Sequence, residues 1–264
     1  MTDWAELEQE LDIWRSENRI ATFWWRDDDL VAPTPALGRL LQLRQHFDIP
    51  LSIAIIPNST DSSLAHELDN CSVLQHGFQH KNYAAAGMKK SEFPDTRPLA
   101  EALEELVEGK NTLSAMFGDQ FLPILVPPWN RIDENIVPEL VDIGFIGLSR
   151  YSARKTVFAV PGIAQVNTHV DPINWRGNRS TVDQNTLLEM VLVHLRARRL
   201  NQVDALEPTG LLTHHLVHDE DIWAELFRLL SFLCMHPAVR WIPLQAAFAL
   251  IDAIDEDVIL PQME

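Results

Sequence analysis

The sequence predicts an α/β fold, and three observations predict it. Apolar, β-branched or aromatic segments of strand length alternate with amphipathic helical segments along most of the chain. Several of the strand segments end abruptly in polar clusters rich in Asp or His, the pattern of folds whose sites lie at the carboxyl ends of strands. No Ser/Gly-rich linker, repeat or low-complexity tract interrupts the series, so residues 1–264 are read as one domain, with 1–18 as an N-terminal helix packed on it. Seven or eight strands, most followed by a helix, suit a (β/α) barrel, incomplete or distorted; a doubly wound open sheet is the competitor.

The elements follow in order. Trp4, Leu7, Leu11 and Trp14 recur at helical spacing in a first helix that ends near Asn18. Ile20 to Trp25 is a strand stopped by Arg26-Asp27-Asp28-Asp29, and Thr34-Pro35 supplies an N-cap and first-turn proline for a helix through Phe47. Leu51 to Ile56 and Ser72 to Gln75 are strands, Leu99 to Phe117 a helix, Phe121 to Val126 a strand and Asp133 to Ile143 a helix. Phe145 to Leu148, Val157 to Val160, Ile163 to His169 and Leu211-Leu212 read as strands. Asn185 to Arg198, Asp219 to Cys234 and Leu244 to Ile254 read as helices.

Composition narrows the function. With 21 Lys+Arg against 38 Asp+Glu the net charge is −17, a field that repels phosphate backbones and anionic headgroups, so nucleic acid and membrane are not expected partners. The acidic start, Met1 to Glu6, lacks the features of a secretory signal, and no apolar run is long enough to span a bilayer. The expectation is a cytoplasmic protein. Cys71 and Cys234 make no disulfide framework and are expected to pack as small hydrophobes.

Four strand ends carry chemistry-bearing residues. Three adjacent carboxylates at 27–29 repel one another unless a cation or hydrogen bonds compensate; the bland alternative is a solvated acidic turn. In His76-Gly77-Phe78-Gln79-His80 the two imidazoles are four residues apart, a spacing that lets both face one metal. Asp28 with these two would complete a two-histidine, one-carboxylate set with open positions for water. Pro127-Pro128-Trp129-Asn130-Arg131 is a stiff turn presenting a tryptophan, and Thr213-His214-His215 begins a run in which a histidine could move protons near neutral pH. His46, His66, His194 and His236 lie on helices or their ends and read as structural; His169, His215 and His218 are left without a role.

The ordered blocks RDDD at 26–29, HGFQH at 76–80, PPWN at 127–130, DPINW at 171–175 and LLTH at 211–214 resemble the polysaccharide deacetylase (NodB-like, carbohydrate esterase 4) superfamily. The resemblance spans most of the chain. It implies a distorted (β/α)7, TIM-like barrel and metal-dependent hydrolysis of an acetamide, as in carbohydrate metabolism. Carried over residue by residue, it makes Asp27 the general base, Asp28, His76 and His80 the metal ligands, and His214 the acid that protonates the departing amine. Trp129 would help hold the oxyanion through its backbone N–H, and Trp175 would wall the acetyl pocket. Asp171 could orient His214 or another histidine.

The chain departs from that pattern in three places. Asp29 stands where the family has glycine, adding a third carboxylate that alters the site's charge or binds substrate. Val126 stands where the family has the arginine that pairs with the catalytic aspartate, so either Arg26 or Arg131 substitutes for it or Asp27 is tuned differently. Asn174 replaces a second aspartate in the DPINW block. The expected cofactor is a divalent metal, zinc by default, with cobalt, nickel or iron compatible with such ligands. The expected substrate is an N-acetylated sugar, oligosaccharide or related small soluble molecule. A non-sugar linear or cyclic amide, or a non-catalytic binding barrel, are the alternatives.

Overall fold

The computed structural model describes residues 2–249 and 251. Helix α1 (Trp4–Ser16) is capped by Asp3, whose carboxylate accepts the Glu6 N–H, and buries Leu7, Leu11 and Trp14 at helical spacing. Strand β1 (Ala21–Leu30) is longer than its sequence suggests: it runs through all three aspartates. It does so because β1 is paired on both sides, by β2 (Leu51–Ile55) and by β8 (Thr209–Thr213), and because each carboxylate has an arginine or histidine beside it. Helix α2 (Pro35–Phe47) starts at the expected Thr34 cap, its hydroxyl accepting the Leu37 N–H.

The remaining sheet strands are β3 (Cys71–His76), β4 (Phe121–Val126), β5 (Gly147–Leu148), β6 (Phe158–Val160), β7 (Ile163–Gln165) and β9 (Val239–Trp241). Their order is β6-β7-β5-β4-β3-β2-β1-β8, with β9 also on β1, and every pairing is parallel except β6 with β7. Ladder pairing does not close this sheet. The segment after β7 crosses the gap with two isolated bridges, Tyr151 to Thr168 and Val170 to Leu211. The architecture is therefore a mostly parallel, distorted barrel.

Strand alternation sorts β1 into two faces. Phe23 and Trp25 join the large outer core formed with α1, α2, α5 (Gln184–Arg199) and α6 (Glu220–Met235). Trp24 points inward with Ala54, Leu74, Ile124 and Val126, and this inner layer is covered by Leu244, Ala247, Phe248 and Ile251. Arg26 and Asp28 continue the inner face towards the mouth of the barrel. A third cluster packs α3 (Leu99–Phe117) and Ile132 to Phe145 over Leu125 and Leu148.

Some elements differ from expectation. The predicted helix from Asp133 to Ile143 is a series of turns with only Glu139–Asp142 helical (α4), since Pro138 can neither donate in a helix interior nor allow Val137 a helical backbone readily. The strand expected from Ile163 to His169 ends at Gln165, where bridges replace a continuous ladder. The last predicted helix is helical over 244–249, and its predicted end falls outside the described residues. Cys71 is buried as expected, whereas Cys234 is exposed.

Candidate metal centre

The three aspartates separate into three environments. Asp27 points to the outer face, fully buried, and accepts hydrogen bonds from Thr213 Oγ1 (2.6 Å), His215 N (3.0 Å) and His215 Nδ1 (2.5 Å). Burial opposes its ionisation, but the His215 imidazole and these hydrogen bonds outweigh it and hold the carboxyl below its ordinary pKa. Asp28, two residues from Arg26 on the inner face, receives both arms of its guanidinium, Nε at 2.8 Å and Nη2 at 2.9 Å. Regular alternation would send Asp29 outward beside Asp27. Instead the register with β2 shifts between Asp27 and Leu30, and Asp29 adopts φ +75°, which turns its carboxylate into the mouth beside Asp28.

Asp29 there meets the two histidines of HGFQH. Its Oδ1 lies 3.0 Å from His76 Nε2 and 3.3 Å from His80 Nε2, and one donor atom from each residue falls within 4.8 Å of the others. In this arrangement Asp29, rather than the expected Asp28, converges with His76 and His80, while Asp28 is held by both arms of Arg26. The same arrangement removes Asp27 from the place expected of a general base, since Asp27 lies on the other face of β1, under His215.

The donor chemistry suits a metal. His76 Nδ1 is 2.9 Å from the carbonyl of Val126, which can only accept, so a neutral His76 carries its proton on Nδ1 and turns the Nε2 lone pair towards Asp29. Asp29 Oδ1 is buried and has no hydrogen bond of acceptable geometry despite its close neighbours. A divalent cation would take up that oxygen together with the lone pairs of neutral imidazoles.

A buried carboxylate absent from the sequence motifs supports this loop. Glu92 accepts the N–H groups of Phe78 (3.2 Å) and Gln79 (2.7 Å), fixing the turn between the two histidines. Gly77 sits at φ +57°, and a Cβ there would collide with the Glu92 carboxylate and the Pro128 ring, so only glycine fits. Nothing local marks Glu92 in the sequence, because it lies outside the motif and acts through backbone amides.

Of the two arginines expected to serve in place of the one missing at Val126, Arg26 is the one that pairs with an aspartate of the RDDD block. It is fully buried and also donates to Ser149 Oγ (2.7 Å) and Asn130 Oδ1 (3.0 Å), which ties β1, the residue after β5 and the PPWN turn to one guanidinium. Arg131 donates to the carbonyl of Lys90 and lies at the exposed rim. His214 Nε2 is 4.0 Å from Asp28 Oδ2. Asp171 does not hydrogen-bond His214; its oxygens accept the Trp175 indole N–H (2.7 Å) and the Ile173 N–H (2.9 Å). It thus positions Trp175, whose ring stands edge-on to His214 at 4.8 Å. Trp129, at φ +56° and ψ +17°, places its ring 4.4 Å from that of His80. Asp28, Asp29, His76, His80, Trp129, Trp175 and His214 line one cleft of about 1330 Å³.

His215 and His218 lie behind this cleft: the first is Asp27's partner, and the second accepts the His214 N–H (3.4 Å) and stands edge-on to Trp223. His169 does not reach the centre. It stacks on His194 at 3.5 Å, with Glu207 3.4 Å from its Nε2. Although these three residues also bring donor atoms together, the Gly210 N–H is donated to His169 Nδ1, which leaves the proton of the neutral ring on Nε2 and no lone pair there for a metal.

No family model matches the chain, and no curated protein matches it. Among solved structures it is similar to a putative polysaccharide deacetylase from Mycobacterium smegmatis, with 12% identity and a TM-score of 0.61 over 93% of this chain and 94% of that one. It is also similar to a family 4 carbohydrate esterase from Streptomyces lividans in complex with acetate, at 13% identity and a TM-score of 0.54 over 83% and 90%. Puue allantoinase superposes with a TM-score of 0.63 at 12% identity, over 89% of this chain and 91% of that chain. At these identities the likeness is one of fold, and the chain has the distorted-barrel fold shared by polysaccharide deacetylases and this allantoinase.

Proposed function

We propose that the protein is a metal-dependent amide hydrolase that removes acetyl from an N-acetylated sugar or a related small molecule. The observation that carries this reading is the meeting of Asp29, His76 and His80 beside an arginine-held Asp28, with His214 across from it. Asp29, His76 and His80 are the proposed ligands of a divalent cation, zinc by default. Bound there, such a cation supplies Lewis acidity that polarises an amide carbonyl and lowers the pKa of water from about 15.7 towards 7.

The chain's own residues supply the rest. Asp28, locked by Arg26, accepts the proton of the attacking water; its second lone pairs remain available because the guanidinium engages each oxygen from one side. His214 Nε2 delivers a proton to the departing nitrogen, and the edge of Trp175, held by Asp171, limits how that imidazole can turn. The Trp129 backbone N–H stabilises the developing oxyanion, and the two tryptophan faces suit the apolar face of a sugar ring. The resemblance of the sequence blocks to deacetylases, the shared fold and the acetate held by the Streptomyces lividans esterase all favour an acetyl group over other acyl groups.

The test is acetate release from N-acetylglucosamine compounds by protein reconstituted with zinc or cobalt. Asp28→Asn is expected to keep the metal and lose about 10²- to 10⁴-fold in kcat. Full turnover by Asp28→Asn, or metal-replete wild type that releases acetate from none of these compounds, would overturn the reading.

A further inference from the structure

The rim of the cleft carries a charge opposite to that of the molecule. Among the residues lining it are Lys89, Lys90, Arg131, Arg176 and Arg179, all exposed, in a chain with nearly twice as many acidic as basic residues. The carboxylates lining the same cleft are Asp28, Asp29 and Asp171, and each is engaged: by Arg26, by the histidine pair and by Trp175. Elsewhere on the surface several basic residues sit on carboxylates, as in Arg39 with Glu220, Arg150 with Glu134 and Arg228 with Glu225, while others such as Arg15, Lys155 and Arg240 stand singly among the described residues. Among the described residues none of the five rim cations has such a partner.

These cations stand on two structured loops. Lys89 and Lys90 belong to a loop fastened by Tyr83 N–H to the Ser91 carbonyl and by Ser91 N–H to Asn82 Oδ1; the Lys90 ammonium lies 5.8 Å from the Trp129 ring, and the Lys90 carbonyl accepts from Arg131. Arg176 and Arg179 belong to a loop fastened by the Ile173–Thr181 bridge, by Asn174 N–H to the Ser180 carbonyl and by Val182 N–H to the Pro172 carbonyl. One loop thus sets Lys90 beside Trp129, and the other carries Trp175 itself, followed directly by Arg176. Unpaired like charges gathered at a cleft repel one another, a cost that an anionic ligand would offset.

We infer that the substrate is an N-acylated compound that also bears an anionic group, phosphate or carboxylate, held by Lys89 and Lys90 on one loop and Arg176 and Arg179 on the other. The inference rests on the amide-hydrolase reading for the acyl group, and on the rim alone for the anion. A neutral oligosaccharide would leave these cations unmatched. An anionic substrate is also steered into an otherwise repellent molecule by the one positive opening at its active face.

The test is calorimetric binding to zinc-loaded protein of N-acetylglucosamine, its 6-phosphate and N-acetylmuramic acid, with the wild type, Lys89→Glu/Lys90→Glu and Arg176→Glu/Arg179→Glu. At low ionic strength at least one anionic probe should bind about tenfold tighter than the neutral sugar, and the advantage should shrink with added salt. Which anion gains separates phosphate from carboxylate. The advantage should vanish in at least one charge-reversal variant while zinc stoichiometry stays as in the wild type. Equal affinities, no measurable binding of either anion, or an advantage that survives both reversals would overturn the inference. Failure of the hydrolase reading shows separately, as zinc-loaded wild type that binds an anionic probe yet releases no acetate.

Discussion

Asp29 Oδ1 and His76 Nε2 approach to 3.0 Å while His76 Nδ1 faces the Val126 carbonyl, so a neutral His76 turns a lone pair towards the carboxylate. His80 Nε2 lies 3.3 Å from the same oxygen. With the imidazoles neutral the arrangement suits a divalent cation, whose binding displaces the proton that would otherwise pair a histidine with Asp29.

Arg26 holds Asp28 and two further elements of the site from a fully buried position. Removing one member of a buried pair leaves the other charge unmatched, so Arg26→Ala should lose about 3–5 kcal/mol of stability in urea unfolding. Arg26→Lys keeps the charge but not the fork. It should fold, bind metal and show a reduced kcat, measured as acetate release; wild-type kcat would mean that the bidentate geometry is dispensable.

Asp27 takes part in no proposed step, yet it ties β1 to the β8 end that carries His214. Asp27→Asn should destabilise the fold by about 1–3 kcal/mol, as expected when a buried acceptor set is broken, and lower kcat while metal content stays at the wild-type level. Loss of metal in this variant would return Asp27 to the centre itself.

Gly77→Ala should be among the most damaging small substitutions. The new methyl meets Glu92 and Pro128 at a positive φ, so the turn between His76 and His80 must shift. Thermal unfolding is expected to show about 1–3 kcal/mol of destabilisation, and zinc titration a fall in affinity of about 10- to 100-fold.

Stability should also depend on pH through the buried stack behind the cleft. Burial, helped by neighbouring cationic groups, pushes His169 and His194 below the ordinary 6.5, so both are neutral when folded and protonate only on unfolding. The stability they contribute is present above pH 6.5 and lost below it, at about 1.4 kcal/mol per pH unit for each. Glu207 acts in the opposite sense: burial lifts it to about 7, so between 7 and its unfolded 4.5 the folded state gains stability as pH falls. The net expectation is a loss of about 1.4 kcal/mol per unit from pH 6.5 to 4.5. His194→Gln should flatten that dependence in urea unfolding; an unchanged slope would contradict the account of the stack.

Much of this was legible in the sequence, and the failures have physical causes. Strand and helix alternation, the Thr34 cap and the limits of Leu99–Phe117 and Phe121–Val126 agree with the structure, since each is set by local pattern. The residues brought to the cleft from β1, HGFQH, PPWN and LLTH are legible at strand ends, and those of DPINW through the family resemblance. The roles within RDDD were not. Three identical side chains in a row are distinguished only by the direction each faces, and that is decided by the register shift and the φ of +75° at Asp29, which composition does not encode. Alternation alone sets Asp28 beside Arg26 and sends Asp27 to the other face, so the Arg26–Asp28 pair is legible in their separation of two. Glu92 is hidden because it acts through a contact between two loops, and the Asp171–Trp175 bond because it depends on how one loop folds back on itself.

The most direct test of the central claim is metal content per chain for Asp28→Ala and Asp29→Ala, each purified without chelator and reconstituted with zinc. The account predicts wild-type stoichiometry in Asp28→Ala and loss of the metal in Asp29→Ala. Metal retained by Asp29→Ala and lost from Asp28→Ala would contradict it and return the ligand position to Asp28.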